Sequence, residues 1–176
     1  ISGLYTVYRT VRQYPRKVGG NLLGYVGEVS EQMLRRYEDY EVGDYIGLTG
    51  VEAAYEEVLK GKKGLRVEEI DAYGAIKGSY MDGAFDTVPE HGKSIVCTID
   101  ARLQLFAEEL MAGKVGAAVA IEPSTGEILM MVSSPTYDPD ELVGRERGNN
   151  YMQMLHNKRR PLYNRAVKAK YPPGST

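Results

Sequence analysis

Residues 94–133 read SIVCTIDARLQLFAEELMAGKVGAAVAIEPSTGEILMMVS, and the organisation of the chain can be worked outward from them. Ser94 to Ile99 is an apolar run of strand length. Asp100 stands where a helix N-cap belongs. Leu103, Phe106, Ala107, Leu110 and Met111 then recur with helical spacing, which predicts a helix over residues 101–112 that Gly113 ends. Residues 115–122 and 127–133 flank Pro123-Ser124-Thr125-Gly126, a turn sequence with glycine where a positive φ is wanted. The prediction is strand, helix and β-hairpin. The first hairpin strand is apolar enough to be buried on both faces. Cys97, alternating with apolar residues, reads as a small core residue rather than a nucleophile.

Toward the N-terminus, residues 4–14 (LYTVYRTVRQY) alternate and are rich in Tyr, Thr and Val, a strand that Pro15 ends. Residues 18–29 hold four glycines among apolar residues, which suits close backbone approach rather than a regular element. Ser30 is placed to cap a short helix over 31–38. Thr49-Gly50-Val51-Glu52 has capping-box spacing. Val51, Ala54, Tyr55, Val58 and Leu59 share one face of a helix over about 50–60, with Gly61 as its stop. Residues 65–77 read as a strand, a turn at Gly74 and a second strand. The turn-rich stretch 79–93 marks a domain boundary. Beyond Ser134-Pro135 the chain reads as irregular, with a short helix near 149–155.

Composition narrows the function classes. Twenty glycines and eight prolines in 176 residues are too many for a helical bundle and not periodic enough for collagen, while 43% hydrophobic residues allow a real core. A net charge of −2, from 22 basic and 24 acidic groups, argues against a dedicated nucleic-acid binder. The charge is uneven: residues 115–144 carry five acidic groups and no basic one, and residues 145–176 carry eight basic groups and one acidic. The basic tail has only Tyr163 and Tyr171 as aromatic company, which is no stacking platform, so it reads as a solvated or anion-facing surface. The acidic run Tyr37 to Asp44 reads as a solvated face. A single cysteine excludes an intramolecular disulfide, and His91 and His156 have no ligand-spaced partners. No apolar run approaches the ~18 residues of a membrane helix. Without an initiator Met or a signal peptide, and ending at Pro172-Pro173-Gly174-Ser175-Thr176, the chain reads as a piece of something longer.

Ser175 follows two prolines that stiffen the approach and a glycine that permits a sharp turn. A serine placed so would stand at a helix start, where free N–H groups favour developing negative charge. An ordinary turn is the other reading.

Taken in order, the segments resemble a class B penicillin-binding protein. Arg12-Gln13-Tyr14-Pro15 followed by Leu23-Gly24-Tyr25-Val26-Gly27 is similar to that family's Arg-x-Tyr-Pro…Gly-x-x-Gly pedestal motif. Gly47-Leu48-Thr49-Gly50-Val51-Glu52 with Leu59-Lys60-Gly61-Lys62-Lys63-Gly64 is similar to its Gly-x-x-Gly-x-Glu…Leu-x-Gly-x-x-Gly motif. Thr98-Ile99-Asp100 with Leu103-Gln104, the Glu122 to Ile128 turn and Ser134 to Pro139 resemble the opening of its transpeptidase domain. Pro161-Leu162-Tyr163-Asn164-Arg165-Ala166 and Tyr171 to Thr176 resemble the approach to the catalytic Ser-x-x-Lys. The Tyr-Pro-Pro-Gly-Ser form is similar to the elongation-type branch, penicillin-binding protein 2, with the division type as the alternative.

The resemblance implies an α+β fold. A pedestal of strands and short helices over 1–92 comes first, then the helix-plus-hairpin start of a transpeptidase domain over 93–176. It implies Ser175 as the acyl nucleophile of a peptidoglycan D,D-transpeptidase, acting on stem peptides and β-lactams without a cofactor or metal. It implies Arg12, Gly24, Gly27, Gly47, Gly50 and Glu52 as structural pedestal residues. Arg12 and Glu52 are expected to meet, the alternative being a Glu52 bonded only to the Thr49 backbone. The implied setting is the outer side of a bacterial inner membrane, with one N-terminal anchor in the parent. The implied pedestal partners are the membrane glycan polymerase and the rod-complex scaffold. The Lys after Ser175, the Ser-x-Asn motif and the Lys-Thr-Gly motif are absent, so the 176-residue chain alone is expected to be inactive. Two other readings are a non-catalytic interaction module and an unrelated basic-tailed binder. Residues 144–176 are expected to be irregular or held by another copy of the chain, and the hairpin to be dimer-prone.

Overall fold

In the computed structural model, which describes residues 12–170, the glycine-rich stretch 18–29 is more regular than expected. It forms a helical turn, α1 (Gly20–Leu23), and a strand, β1 (Val26–Glu28). Backbone amides pair locally whatever the side chain, so the glycines prevent neither. The predicted strand over 4–14 lies outside the described residues except for 12–14, which join no ladder. Ser30 Oγ accepts from the Met33 amide and caps α2 (Glu31–Leu34), which stops well short of residue 38. β1 then pairs antiparallel with β2 (Tyr45–Gly47), Gly27 opposite Ile46.

The helix expected over 50–60 is two: α3 (Gly50–Ala54) and α4 (Glu56–Leu59), interrupted at Tyr55 with φ −115° and ψ 20°. The chain divides into two compact units at the same place. One runs up to Ala54 and resumes at Cys97; the other is Tyr55–Val96. Each half of the predicted helix belongs to its own unit.

In the Tyr55–Val96 unit, β3 (Glu68–Ile70) and β4 (Ile76–Ser79) form the expected hairpin. Its turn is held by Asp71, whose carboxylate accepts from the Tyr73 and Ala75 amides at 2.9 and 3.0 Å. The stretch 79–93 is built into this unit. Thr87 bridges to Leu65, Glu90 to Lys62, and the Lys93 amide donates to the Val58 carbonyl at 2.8 Å.

In the other unit, Asp100 accepts from the Arg102 and Leu103 amides at 2.8 and 3.2 Å and starts α5 (Ala101–Leu110). The buried face is not the predicted stripe. Phe106 and Leu110 are exposed, whereas Gln104 is only 1% exposed and Ala107 is buried beside it. The hairpin forms as expected from β5 (Gly116–Ile121) and β6 (Ile128–Ser134), with Val119 opposite Met131. Its first strand is not buried on both faces; Val119 and Ile121 are exposed. Among the described residues the sheet has two strands, so β5 is paired along one edge.

The strand expected over 94–99 does not form. Thr98 Oγ1 donates to the Ile128 carbonyl at 2.7 Å and the Asp100 amide to that of Leu129 at 2.9 Å, but no ladder develops. Gln104 occupies the next stretch of that β6 edge. Its amide donates to the Met131 carbonyl at 3.0 Å and accepts from the Met131 N–H at 2.9 Å. Cys97 is exposed as a result, not a core residue.

The largest correction concerns the tail. Through residue 170 it folds onto its own chain, with α6 (Arg147–His156) and α7 (Arg165–Lys168). Met154 joins Tyr25, Tyr137 and the fully buried Leu142 in one core cluster, with Tyr151 and Leu162 packed against it. Met154, Tyr151 and Leu162 thus pack with Tyr25 of the pedestal segment, whereas Met152, Leu155 and Val167 stay exposed.

Candidate functional site

Ser175 lies outside the described residues. What is described is the ground it is approached from: the joint between the pedestal segment and residues 157–170. The pedestal segment itself is built around a buried carboxylate. Glu52, in the first turn of α3, is 8% exposed. Its Oε2 accepts from Arg12 Nη2 at 2.8 Å and its Oε1 from the Tyr14 hydroxyl at 3.2 Å. Arg12 and Glu52 therefore meet, and the carboxylate faces them rather than the Thr49 backbone. The Tyr14 amide donates to Asp140 Oδ1 at 3.0 Å, tying this cluster to the loop after β6. Burial first, then the Glu52 charge and hydrogen bond, push the Tyr14 phenol well above its ordinary range.

The pedestal glycines sit where the backbone closes up. Gly24 has φ +82°, and a Cβ there would run into the Thr49 carbonyl. Gly50, at φ +62°, faces the Leu22 carbonyl from the other side. α1 and α3 can touch main chain to main chain only because both positions lack a side chain. A Cβ at Gly27 would meet the Arg147 guanidinium, and one at Gly47 the Glu52 backbone. Arg147 fills the first of these spaces. Its Nε donates to the Val26 carbonyl at 3.0 Å and its guanidinium lies 5.7 Å from the centre of the Tyr25 ring. Burial, followed by the hydrogen bond to Tyr151, pushes the Tyr25 phenol up to about 12, with Arg147 opposing.

The approach segment is held by groups that sequence reasoning did not single out. Asn21, 9% exposed, donates to the Pro161 carbonyl at 2.9 Å. Asn164 Nδ2 donates to the Asn21 carbonyl at 3.1 Å while its Oδ1 accepts from the Ala166 amide and caps α7. Ser133 on β6 donates to the Tyr163 carbonyl at 3.0 Å and accepts from the Arg165 amide at 2.9 Å. Arg165, 8% exposed, donates to the carbonyls of Arg159 and Arg160 at 2.6 and 3.1 Å. Arg159 reaches the Gly113 carbonyl at 2.7 Å. Part of the basic tail is therefore structural, its guanidiniums spent on backbone oxygens, and not a solvated surface throughout. Tyr137 donates to the Gly20 carbonyl at 2.7 Å, and burial raises its pKa strongly. Asn164, an N-cap residue type, is the local signal that could have pointed to this anchor.

Comparison with known proteins agrees with this arrangement. Residues 1–97 match the Penicillin-binding Protein dimerisation domain, and residues 116–176 match the Penicillin binding protein transpeptidase domain. The chain belongs to the penicillin-binding protein family. This penicillin-binding protein chain is 39% identical over 168 residues to the peptidoglycan D,D-transpeptidase MrdA of Acinetobacter baumannii, covering 94% of this chain and 24% of that protein. Penicillin-binding protein PBP2 of Helicobacter pylori, solved in complex with MreC, superposes with a TM-score of 0.78 at 30% identity, covering 94% of this chain and 31% of that one. Pseudomonas aeruginosa PBP2, solved in complex with WCK 5153, gives 0.74 at 40% identity, covering 94% and 33%. These relatives lie in the elongation-type, penicillin-binding protein 2 branch and do not favour the division-type alternative. The fold is accordingly α+β, a dimerisation domain followed by the start of a transpeptidase domain. The chain spans about a quarter of the length of the curated relatives it matches.

Proposed function

We propose that this chain is the pedestal and catalytic-serine approach of an elongation-type peptidoglycan D,D-transpeptidase, with residues 1–92 as pedestal and 93–176 as the start of the catalytic domain. Ser175 is the nucleophile. Its Oγ attacks the carbonyl of the penultimate D-Ala of a stem peptide, the C–N bond to the terminal D-Ala breaks, and that residue leaves with the serine proton. The amine of a neighbouring stem peptide then attacks the ester and its proton returns to Ser175. A β-lactam carbonyl enters the first step in the same way and stops there. This chemistry calls for a base that activates Ser175 and for N–H donors that hold the oxyanion. No cofactor or metal is needed.

The observation that carries this reading is the Pro161–Lys168 segment, anchored on both sides by Asn21 and Ser133 and leading toward the Tyr-Pro-Pro-Gly-Ser run. A nucleophile needs a fixed approach, and this one is fixed by buried hydrogen bonds. Arg12, Gly24, Gly27, Gly47, Gly50 and Glu52 act as the pedestal's internal frame. The pedestal faces the periplasm and receives the rod-complex scaffold and the membrane glycan polymerase, in line with the MreC complex of a relative.

The test is labelling with a fluorescent penicillin. The full-length protein should carry one adduct, mapped to Ser175 by mass spectrometry and lost in Ser175→Ala. The 176-residue polypeptide alone should carry none. An adduct at another residue, or a stoichiometric adduct on the short polypeptide, would defeat the reading.

A further inference from the structure

We infer that the cleft bordered by α1, α3, β6 and α7 is a binding site for a small monocarboxylic acid with an apolar body, its carboxylate on Lys168 and its body against Val51, Met131 and Leu162. The cleft measures about 290 Å³ and lies wholly within the unit that runs up to Ala54 and resumes at Cys97. Packed interiors hold few voids larger than a water molecule, so a space near the lower end of small-molecule pockets is more than a packing defect. Its walls are fixed. Asn21 Nδ2 donates to the Pro161 carbonyl at 2.9 Å, Asn164 Nδ2 donates to the Asn21 carbonyl at 3.1 Å, and the Tyr137 hydroxyl donates to the Gly20 carbonyl. These three side chains line the cleft, and their donors are committed to main-chain oxygens. Most of the remaining lining is apolar: Leu22, Val51, Ala54, Met131, Leu162 and Val167.

One group in the lining carries charge. Lys168 is the last residue of α7, and its backbone carbonyl accepts from the Tyr163 hydroxyl at 2.8 Å, which fixes the base of its side chain at the cleft. Its ammonium enters no ion pair among the described residues. No acidic side chain lines the cleft. A single unpaired cation beside an apolar trough selects by charge and by polarity together. A neutral sugar would set hydroxyls against Leu22 and Met131 without partners. A dianion such as a phosphate monoester would bring a second charge with no counter-ion. A monocarboxylate meets both conditions. Its charge stays at the exposed Lys168, where water completes its hydration, and its body displaces water from the apolar walls.

The test is photolabelling of the full-length protein with a trifluoromethyl-diazirinyl benzoate, mapped by peptide mass spectrometry. The expected result is carbene insertion concentrated in the peptides that carry Val51, Met131 or Leu162, displaced by tert-butylbenzoate. The uncharged tert-butylbenzamide should compete about three-fold more weakly, the size of a solvent-exposed ion contact. Lys168→Met keeps the aliphatic stem at an exposed position and should erase the difference between the two competitors, with thermal unfolding measured to establish that the variant is folded. Diffuse insertion, or insertion that tert-butylbenzoate does not displace, overturns the proposal. Equal competition by the two compounds in the unsubstituted protein, or a difference that persists in folded Lys168→Met, overturns it too. An unlabelled cleft in the full-length protein means that another part of the molecule fills it, which is equally fatal. Penicillin acylation is no part of the readout, so the outcome does not depend on the reading of Ser175.

Discussion

Arg12 Nη2 and Glu52 Oε2 lie 2.8 Å apart across a sequence separation of 40 residues, and Tyr14 donates to the other oxygen of the same carboxylate. The Glu52 side chain is 11% exposed and that of Arg12 is 37% exposed, so the pair is neither a surface ion pair nor a fully buried one. Removing the arginine leaves a desolvated carboxylate with a single neutral donor.

Arg12→Ala is expected to cost about 2–3 kcal/mol, below the ~3–5 kcal/mol of a fully buried pair because solvent screens the guanidinium. Glu52→Gln should cost less, since it removes the buried charge along with the pairing. Denaturant midpoints of the two variants check this. Equal losses, or a loss under about 0.5 kcal/mol for Arg12→Ala, would mean that the pair contributes only as a surface contact.

Gln104 replaces a strand's backbone with a side-chain amide. Its amide makes both hydrogen bonds to Met131 and a third, at 2.7 Å, to Glu108 Oε1. Gln104→Leu fills the same volume but orphans a buried N–H and C=O, a cost of about 2–4 kcal/mol. Amide hydrogen exchange at Met131 is the direct readout: protection there should fall sharply. Unaltered protection would mean that another group covers the strand edge.

Gly24→Ala combines a positive φ with a backbone collision at Thr49, and neither can be relieved by a rotamer change. A loss of more than about 3 kcal/mol is expected. Gly113→Ala has a comparable φ of +76° but open space around it, so it should cost only the conformational term of roughly 1–2 kcal/mol. Similar thermal shifts in the two variants would contradict the close approach of α1 and α3.

Three phenols, those of Tyr14, Tyr25 and Tyr137, are pushed up by burial. Below the ordinary value of 10.0 the phenol is neutral in both folded and unfolded chains, and its full contribution to stability is present. Above it the unfolded chain ionises first, so stability falls as pH rises, until the folded Tyr25 itself titrates at about 12. A urea series from pH 9 to 11 should therefore show declining midpoints over roughly the upper half of that range, and Tyr25→Phe should flatten the decline. Phenolate absorbance rising for all the tyrosines together near their ordinary value, with the chain still folded, would count against it.

Much of the local structure was legible because it depends on short-range chemistry. Asp100 as a cap, the Pro123–Gly126 turn, the hairpin expected over 65–77 and the stop at Gly61 each rest on residues within a few positions of one another. Capping, turn geometry and positive φ need no knowledge of the rest of the chain. The ordered motifs from Arg12 to Thr176 likewise sufficed for the family.

Burial and long-range pairing were decided only in three dimensions. The apolar stripe of α5 pointed one way, but the helix turned Gln104 inward, because the open edge of β6 offered hydrogen-bonding groups that no leucine could satisfy. The run 94–99 had the composition of a strand, yet it meets the β6 edge through the Thr98 hydroxyl and the Asp100 amide without forming a ladder. The tail looked unsupported because its partners lie more than a hundred residues away: Pro161 and Asn164 on Asn21, Arg147 on Val26. Periodicity reports which residues seek burial. It does not report which surface will receive them, since that depends on where distant segments meet, and here that place is a helical turn of four residues that the glycines beside it allow to fit.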